Sequence, residues 1–225
     1  MSFPAPNPFA DPAPDGDASG GTSGSTSGGA KWWKSPVLRS GFGLLLMSVA
    51  VLWIVQIVDE VALSDRLQND GIYPRNLGGL DGIVWAPFLH AGFDHLISNT
   101  LPFLVLGGLV MTQGKRRWIE VTVGVILIGG LLTWIFGRTA NHIGASGVVF
   151  GYFGYLIGWA VFRRSLAAFV TAAVALLLYG GLVFGLAPRA AMSWEGHLFG
   201  ALSGLAAARI FSRRPDTDTD AVPVI

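Results

Sequence analysis

The sequence predicts an all-α membrane protein, a bundle of six transmembrane helices, and three observations carry that reading. Of 225 residues, 52% are hydrophobic and only 13% charged, whereas soluble domains average about 25% charged residues. Six apolar runs approach the ~17–25 residues that a helix needs to cross a bilayer, and they are too long for the strands of a membrane barrel. Lysine and arginine are concentrated in alternate connections between these runs. The partner implied at once is the lipid bilayer. A net charge of +1 gives no sign of nucleic acid as a partner. With no cysteine in the chain, disulfides, cysteine nucleophiles and thiolate metal sites are excluded.

Taken in order, residues 1–30 are rich in Pro, Gly, Ser and Thr. Such a segment buries too little apolar surface to fold, so it reads as a disordered tail. It lacks the basic start and apolar core of a cleavable signal peptide. Residues 31–212 form the six-span domain, with spans expected at 41–58, 93–111, 119–136, 145–162, 166–186 and 192–211. Residues 213–225 are a second short tail. Eleven basic residues share one side of such a bundle: Lys31, Lys34, Arg39, Lys115, Arg116, Arg117, Arg163, Arg164, Arg209, Arg213 and Arg214. The other side keeps Arg66, Arg75, Arg138 and Arg189. The positive-inside rule makes the first side cytoplasmic, together with both termini. Residues 59–85 then form a long external loop.

Polar residues inside the spans define a level. Asn99 lies sixteen residues before Lys115, Ser146 seventeen before Arg163, and His197 sixteen before Arg213. At 1.5 Å of rise per residue each sits about 24–26 Å above the cytoplasmic edge. In a hydrocarbon core about 30 Å thick, that is a few Å below the outer boundary. Unrelated polar residues would scatter in depth, so the three read as one site.

A hydroxyl and an imidazole at one depth are the parts of an activated nucleophile. Ser146 is the candidate nucleophile and His197 the candidate base. His95 and Asn99, spaced i, i+4, share a helix face. With the Ser146 main-chain N–H they are suitable donors for a developing oxyanion. The alternative, that these two only hydrogen-bond neighbouring helices, is weakened by the common depth. Glu195 precedes His197 by two positions and so projects from a different face, which favours a dyad over a triad. His142, in the loop before Ser146, is expected to face water. Gly196, Gly200, Gly204 and Ala208 form a small-residue stripe on span six, and span four carries Gly147 with Gly151 and Gly154 with Gly158. Such stripes let membrane helices approach closely and would bring Ser146 to His197. Pro102 is expected to bend span two or free a backbone bond.

At these residues the chain resembles the rhomboid family of intramembrane serine proteases, over roughly residues 80–210. The resemblance rests on the segment from Leu89 and His90 to His95 and Asn99, on Gly144-Ala145-Ser146-Gly147 with Phe150 and Gly151 after it, and on Gly196-His197-Leu198-Phe199-Gly200. It implies a six-span rhomboid-like bundle in which Ser146 is the nucleophile and His197 the general base and acid. Asn99, His95 and the Ser146 N–H would line the oxyanion hole. Phe150 matches the position where an aromatic ring packs on the catalytic imidazole, and His90 matches a further, structural histidine. Gly144 and Gly200 belong to the matching motifs as supporting residues. The Trp-Arg pair that many bacterial members carry in the first external loop is missing; Arg75 is the nearby residue suited to a similar role. The expected location is a bacterial plasma (inner) membrane.

The function expected is endoproteolysis in or next to the transmembrane segments of other membrane proteins, through a Ser-His dyad. No cofactor and no metal are implied: His90 and His95, five residues apart without a carboxylate, match zinc-binding helices poorly. A catalytically dead relative would lack the nucleophile or the base, and both are present. A proton relay would need polar residues along a whole transmembrane path, but the cytoplasmic halves of the spans are almost wholly apolar.

Overall fold

The computed structural model describes residues 36–189 and 192–213. The expected tail at 1–30, Lys31, Lys34 and nearly all of 213–225 lie outside the described residues. Everything regular among the described residues is helical, apart from an isolated antiparallel bridge between Ile72 and His142. The long helices are α1 (Pro36–Val58), α3 (Phe93–Met111), α6 (Ser146–Arg163), α7 (Leu166–Tyr179) and α8 (Trp194–Phe211). A sixth helical rod runs from Lys115 to Phe136 as α4 (Lys115–Gly124), a π turn over Val125–Gly129, and α5 (Gly130–Phe136). The short helix α2 (Gly82–Trp85) lies in the connection between α1 and α3.

Four segments are long and apolar enough to cross a membrane: Gly41–Leu63, Phe93–Met111, Lys115–Phe136 and Leu166–Leu186. The expected count of six is therefore not reached on length and apolarity. The two rods that fall short are α6 and α8, whose glycines, tyrosines, serines, Glu195 and His197 dilute their apolar content. A second difference concerns the expected span at 166–186. Its α-helix stops at Tyr179 and continues as a 3₁₀ turn over Gly180–Leu186. Glycines at 180 and 181 weaken the helix there, and Pro188 blocks its continuation beyond. By contrast, α3 runs unbroken through Pro102.

α6 and α8 make the most extensive helix pair, and α6 also touches α3, α4 and α7. Ten residues of α6 are buried, among them Phe150, Tyr152, Tyr155 and Leu156. The crossing is a backbone contact. A Cβ on Gly200 would overlap the Gly147 carbonyl, one on Gly204 the Gly151 carbonyl, and one on Gly154 the Ala201 carbonyl. Side chains at these positions would force the helices apart.

Residues 59–85 are held by bonds within the segment and by bonds to the end of α5. The Asp59 carboxylate accepts from the N–H groups of Leu67 at 2.8 Å and Gln68 at 3.2 Å. The Arg75 guanidinium donates to the carbonyls of Ile135 at 3.1 Å and Gly137 at 2.7 Å, and to Thr139 Oγ1 at 3.3 Å. Arg75 thus caps the last carbonyls of α5, a favourable place for a cation, and fixes the loop to the segment that leads into α6.

Candidate active site

Ser146 is the first residue of α6, so its N–H has no intrahelical acceptor. The turn before it is held by two long-range bonds: Gly144 N–H donates to the Ala86 carbonyl at 2.8 Å, and Ala145 N–H to His90 Nε2 at 3.3 Å. Gly144 has φ +110°, a conformation that side chains disfavour. A Cβ there would also lie 2.7 Å from His95 Nε2. Only glycine lets His95 come this near the serine turn.

His197, one turn into α8 and 8% exposed, has its Nε2 2.9 Å from Ser146 Oγ. Its Nδ1 lies 2.9 Å from the Gly185 carbonyl. The Phe150 ring stacks on the imidazole, with centroids 4.1 Å and planes 5° apart. Both ring nitrogens are therefore occupied without Glu195. That carboxylate is buried and faces Arg138, accepting from its N–H at 3.4 Å with Nε 3.7 Å away.

The donors from α3 face the same space. His95 Nδ1 accepts from Ala91 N–H at 3.3 Å, which leaves the hydrogen on Nε2, the nitrogen turned toward Gly144. Asn99 is buried, and its Nδ2 gives one hydrogen to the His95 carbonyl at 3.0 Å; the amide keeps a second. Ser146, His197, Asn99, His95 and Phe150 all line one cavity of about 730 Å³, together with Arg138 and Met192. His90 lines no part of it. Its ring meets His95 edge-on, 5.1 Å between centroids, and burial, reinforced by the nearby His95, pushes its pKa down to about 4 against the Phe88 backbone hydrogen bond.

The expectation that His142 faces water is overturned. The residue is 3% exposed, with Nδ1 2.6 Å from Ser193 Oγ and Nε2 3.1 Å from the Arg138 carbonyl. Its main chain pairs with Ile72 in both directions at 3.0 Å. Burial holds its pKa below the usual histidine range, opposed by the Arg138 carbonyl and by Glu195. Pairing with residues 51 and 70 positions away leaves no local trace in a sequence.

Sequence reasoning also missed Arg138. Its guanidinium donates to the carbonyls of Arg189 at 2.9 Å and Met192 at 2.7 Å, bracing the start of α8. The Gly185 carbonyl was missed as well, since a main-chain acceptor has no signature in residue type. Among the described residues, no three His, Asp or Glu side chains converge as metal ligands would.

The chain is similar to several known proteins. An uncharacterized protein of Mycobacterium tuberculosis is 38% identical over 189 residues, covering 80% of this chain and 78% of the relative. YdcA of Bacillus subtilis, which carries the name of a rhomboid protease, is 32% identical over 71% of this chain and 82% of its own length. RHOMBOID-like protein 1 of Arabidopsis thaliana is 27% identical over 59% of this chain and 36% of its own. Residues 78–214 match the family model of the rhomboid domain, and the chain, an integral membrane protein, belongs to the rhomboid family, membership of which implies intramembrane serine protease activity.

Proposed function

We propose that the chain is an intramembrane endopeptidase with a Ser-His dyad, Ser146 as nucleophile and His197 as general base and acid. The observation that carries this reading is the 2.9 Å contact between Ser146 Oγ and His197 Nε2, half-buried and between two residues that line one cavity. Ser146 Oγ attacks a peptide carbonyl as its proton passes to His197 Nε2. The new oxyanion is held by Asn99 Nδ2, His95 Nε2 and the Ser146 N–H, donors whose orientation is set in advance. The imidazolium then protonates the leaving amine, and water repeats the cycle to release the acyl group. Phe150 keeps the imidazole plane fixed, Gly144 and Gly200 allow the close approaches, and His90 holds the serine turn.

In this reading residues 31–212 are the protease domain, with six crossings and with 1–30 and 213–225 as cytoplasmic tails in a bacterial plasma membrane. α6 and α8 cross although they are less apolar, α6 because neighbouring helices bury ten of its eighteen residues and α8 because it packs along α6. The substrates are transmembrane segments of other proteins. The test is cleavage of a single-span reporter in detergent by wild type, Ser146→Ala, His197→Ala and the double variant. Each single variant is expected to lose essentially all turnover, and the double to be no worse, as for groups that act as one unit. Substantial turnover by Ser146→Ala would overturn the mechanism.

A further inference from the structure

A hydroxyl becomes a nucleophile only if the base beside it is in the right tautomer. For His197 that form has the hydrogen on Nδ1 and the lone pair on Nε2, facing Ser146 Oγ. In a triad a buried carboxylate enforces this form and steadies the imidazolium, and here the nearby carboxylate is turned to Arg138. The group at Nδ1 is the Gly185 carbonyl, 2.9 Å away. A carbonyl only accepts, so Nδ1 must donate and Nε2 must accept from the Ser146 hydroxyl.

The local sequence explains why this carbonyl is available. Gly185 lies in the last 3₁₀ turn after α7, which ends at Leu186 before extended Ala187. Within a 3₁₀ turn a carbonyl is satisfied by the N–H three residues on. Three residues after Gly185 stands Pro188, which has no N–H. An unsatisfied carbonyl at membrane depth is costly, and the imidazole N–H supplies the missing donor. Position 185 also has to be glycine: a Cβ would lie 2.7 Å from Phe150 Cζ and 3.4 Å from His197 Nδ1. The imidazole is thus held on its face by Phe150 and at its edge by a main chain that no side chain keeps away.

We infer that Gly185, through its main-chain carbonyl, is a positioning residue for the base, fixing the tautomer and the ring plane of His197 as a carboxylate does in a triad. The inference rests on the dyad reading of the site. It makes the 3₁₀ segment after α7, an element that carries neither Ser146 nor His197, a determinant of turnover.

Two experiments on the full chain in detergent test it. In the first, the protein carries ¹⁵N-labelled histidine and His197→Gln identifies the His197 signals among those of the four histidines. His197 is expected to be protonated on Nδ1 and bare on Nε2 in the resting enzyme. In the second, leucic acid replaces Leu186, turning the Gly185 carbonyl into an ester, a weaker acceptor of the same shape. Turnover of a reporter segment should fall about 10- to 100-fold in kcat, as for loss of a hydrogen bond to a charged group, with KM within about twofold. Gly185→Ala should show the same split and a mixed tautomer. A resting His197 protonated on Nε2, or a folded ester variant with wild-type kcat, would overturn the inference. Failure of the dyad itself would instead show as turnover in Ser146→Ala, and the tautomer measurement stands apart from that outcome.

Discussion

Acid should loosen the serine turn through His90, and the size of the effect follows from its surroundings. The ring is 1% exposed, and its Nε2 accepts the Ala145 N–H, so the folded state keeps it neutral. Burial, with the neighbouring His95 adding to it, lowers its pKa from 6.5 to about 4 in the folded protein, while in the unfolded chain it stays near 6.5. Between these two values the unfolded chain binds a proton that the folded one does not, so falling pH favours unfolding. The contribution is fully present above pH ~6.5 and is lost progressively down to pH ~4. At about 1.4 kcal/mol per pH unit, the gap amounts to about 3 kcal/mol. The comparison variant is His90→Gln, whose side-chain oxygen accepts from Ala145 N–H but does not titrate. Unfolding of both proteins in mixed micelles would be followed at pH 7, 5.5 and 4. Wild type should lose about 3 kcal/mol more than the variant by pH 4, with most of the difference opening below pH ~6.5. His142, also held low by burial, titrates in both proteins and cancels. Parallel losses would refute the assignment of His90 as a neutral strut.

Three further outcomes are expected. Asn99→Ala should lose up to ~10²–10³ in turnover, the usual effect of removing one preorganised oxyanion donor; normal turnover would reduce Asn99 to a packing residue. Glu195→Gln should keep most activity, because the carboxylate faces Arg138 and the amide oxygen can still accept its N–H; a loss like that of His197→Ala would reveal a triad. In a panel of single-span substrates analysed by mass spectrometry, cuts should fall near the external end of the substrate helix, beside Gly or Pro that eases unwinding. Clustering at the cytoplasmic end, or indifference to replacing those residues by Leu, would contradict the depth assigned to the site.

Much of the fold was legible where one physical constraint dominates. The run at 93–111 coincides with α3, because a helix in lipid must satisfy its own backbone and its length is set by the bilayer. Ser146, His197 and Asn99 stood out because polar groups at depth are costly, and a constant rise of 1.5 Å per residue turned positions along three helices into one level. What was not legible depends on chain segments far apart or on features without composition. The π turn at Val125–Gly129 looks like any apolar helix. The 166–186 run is apolar throughout, and reading it by hydropathy alone passed over Gly180, Gly181 and Pro188, which mark the change to 3₁₀. His142 was misjudged because its partners, Ile72 and Ser193, come from distant loops.

Part of the shortfall of α6 and α8 in apolarity has the same origin as the site they carry. A helix facing lipid on most sides has to be apolar, while one enclosed by other helices is free to spend its surface on contact. α6 gives glycine to α8 at Gly147, Gly154 and Gly158, and α8 returns Gly200 and Gly204, so that main chain takes the place of side chains along the crossing. Each of these glycines lowers the helix's own apolar content, and each also shortens the distance between the helix that starts at Ser146 and the helix that holds His197. A more lipid-soluble sequence, with Leu at 200 or 204, would push α8 away from α6 and take Nε2 out of hydrogen-bonding reach of Oγ. In this protein glycines that dilute the apolar content of two helices are also what lets those helices approach, with a serine on one and a histidine on the other.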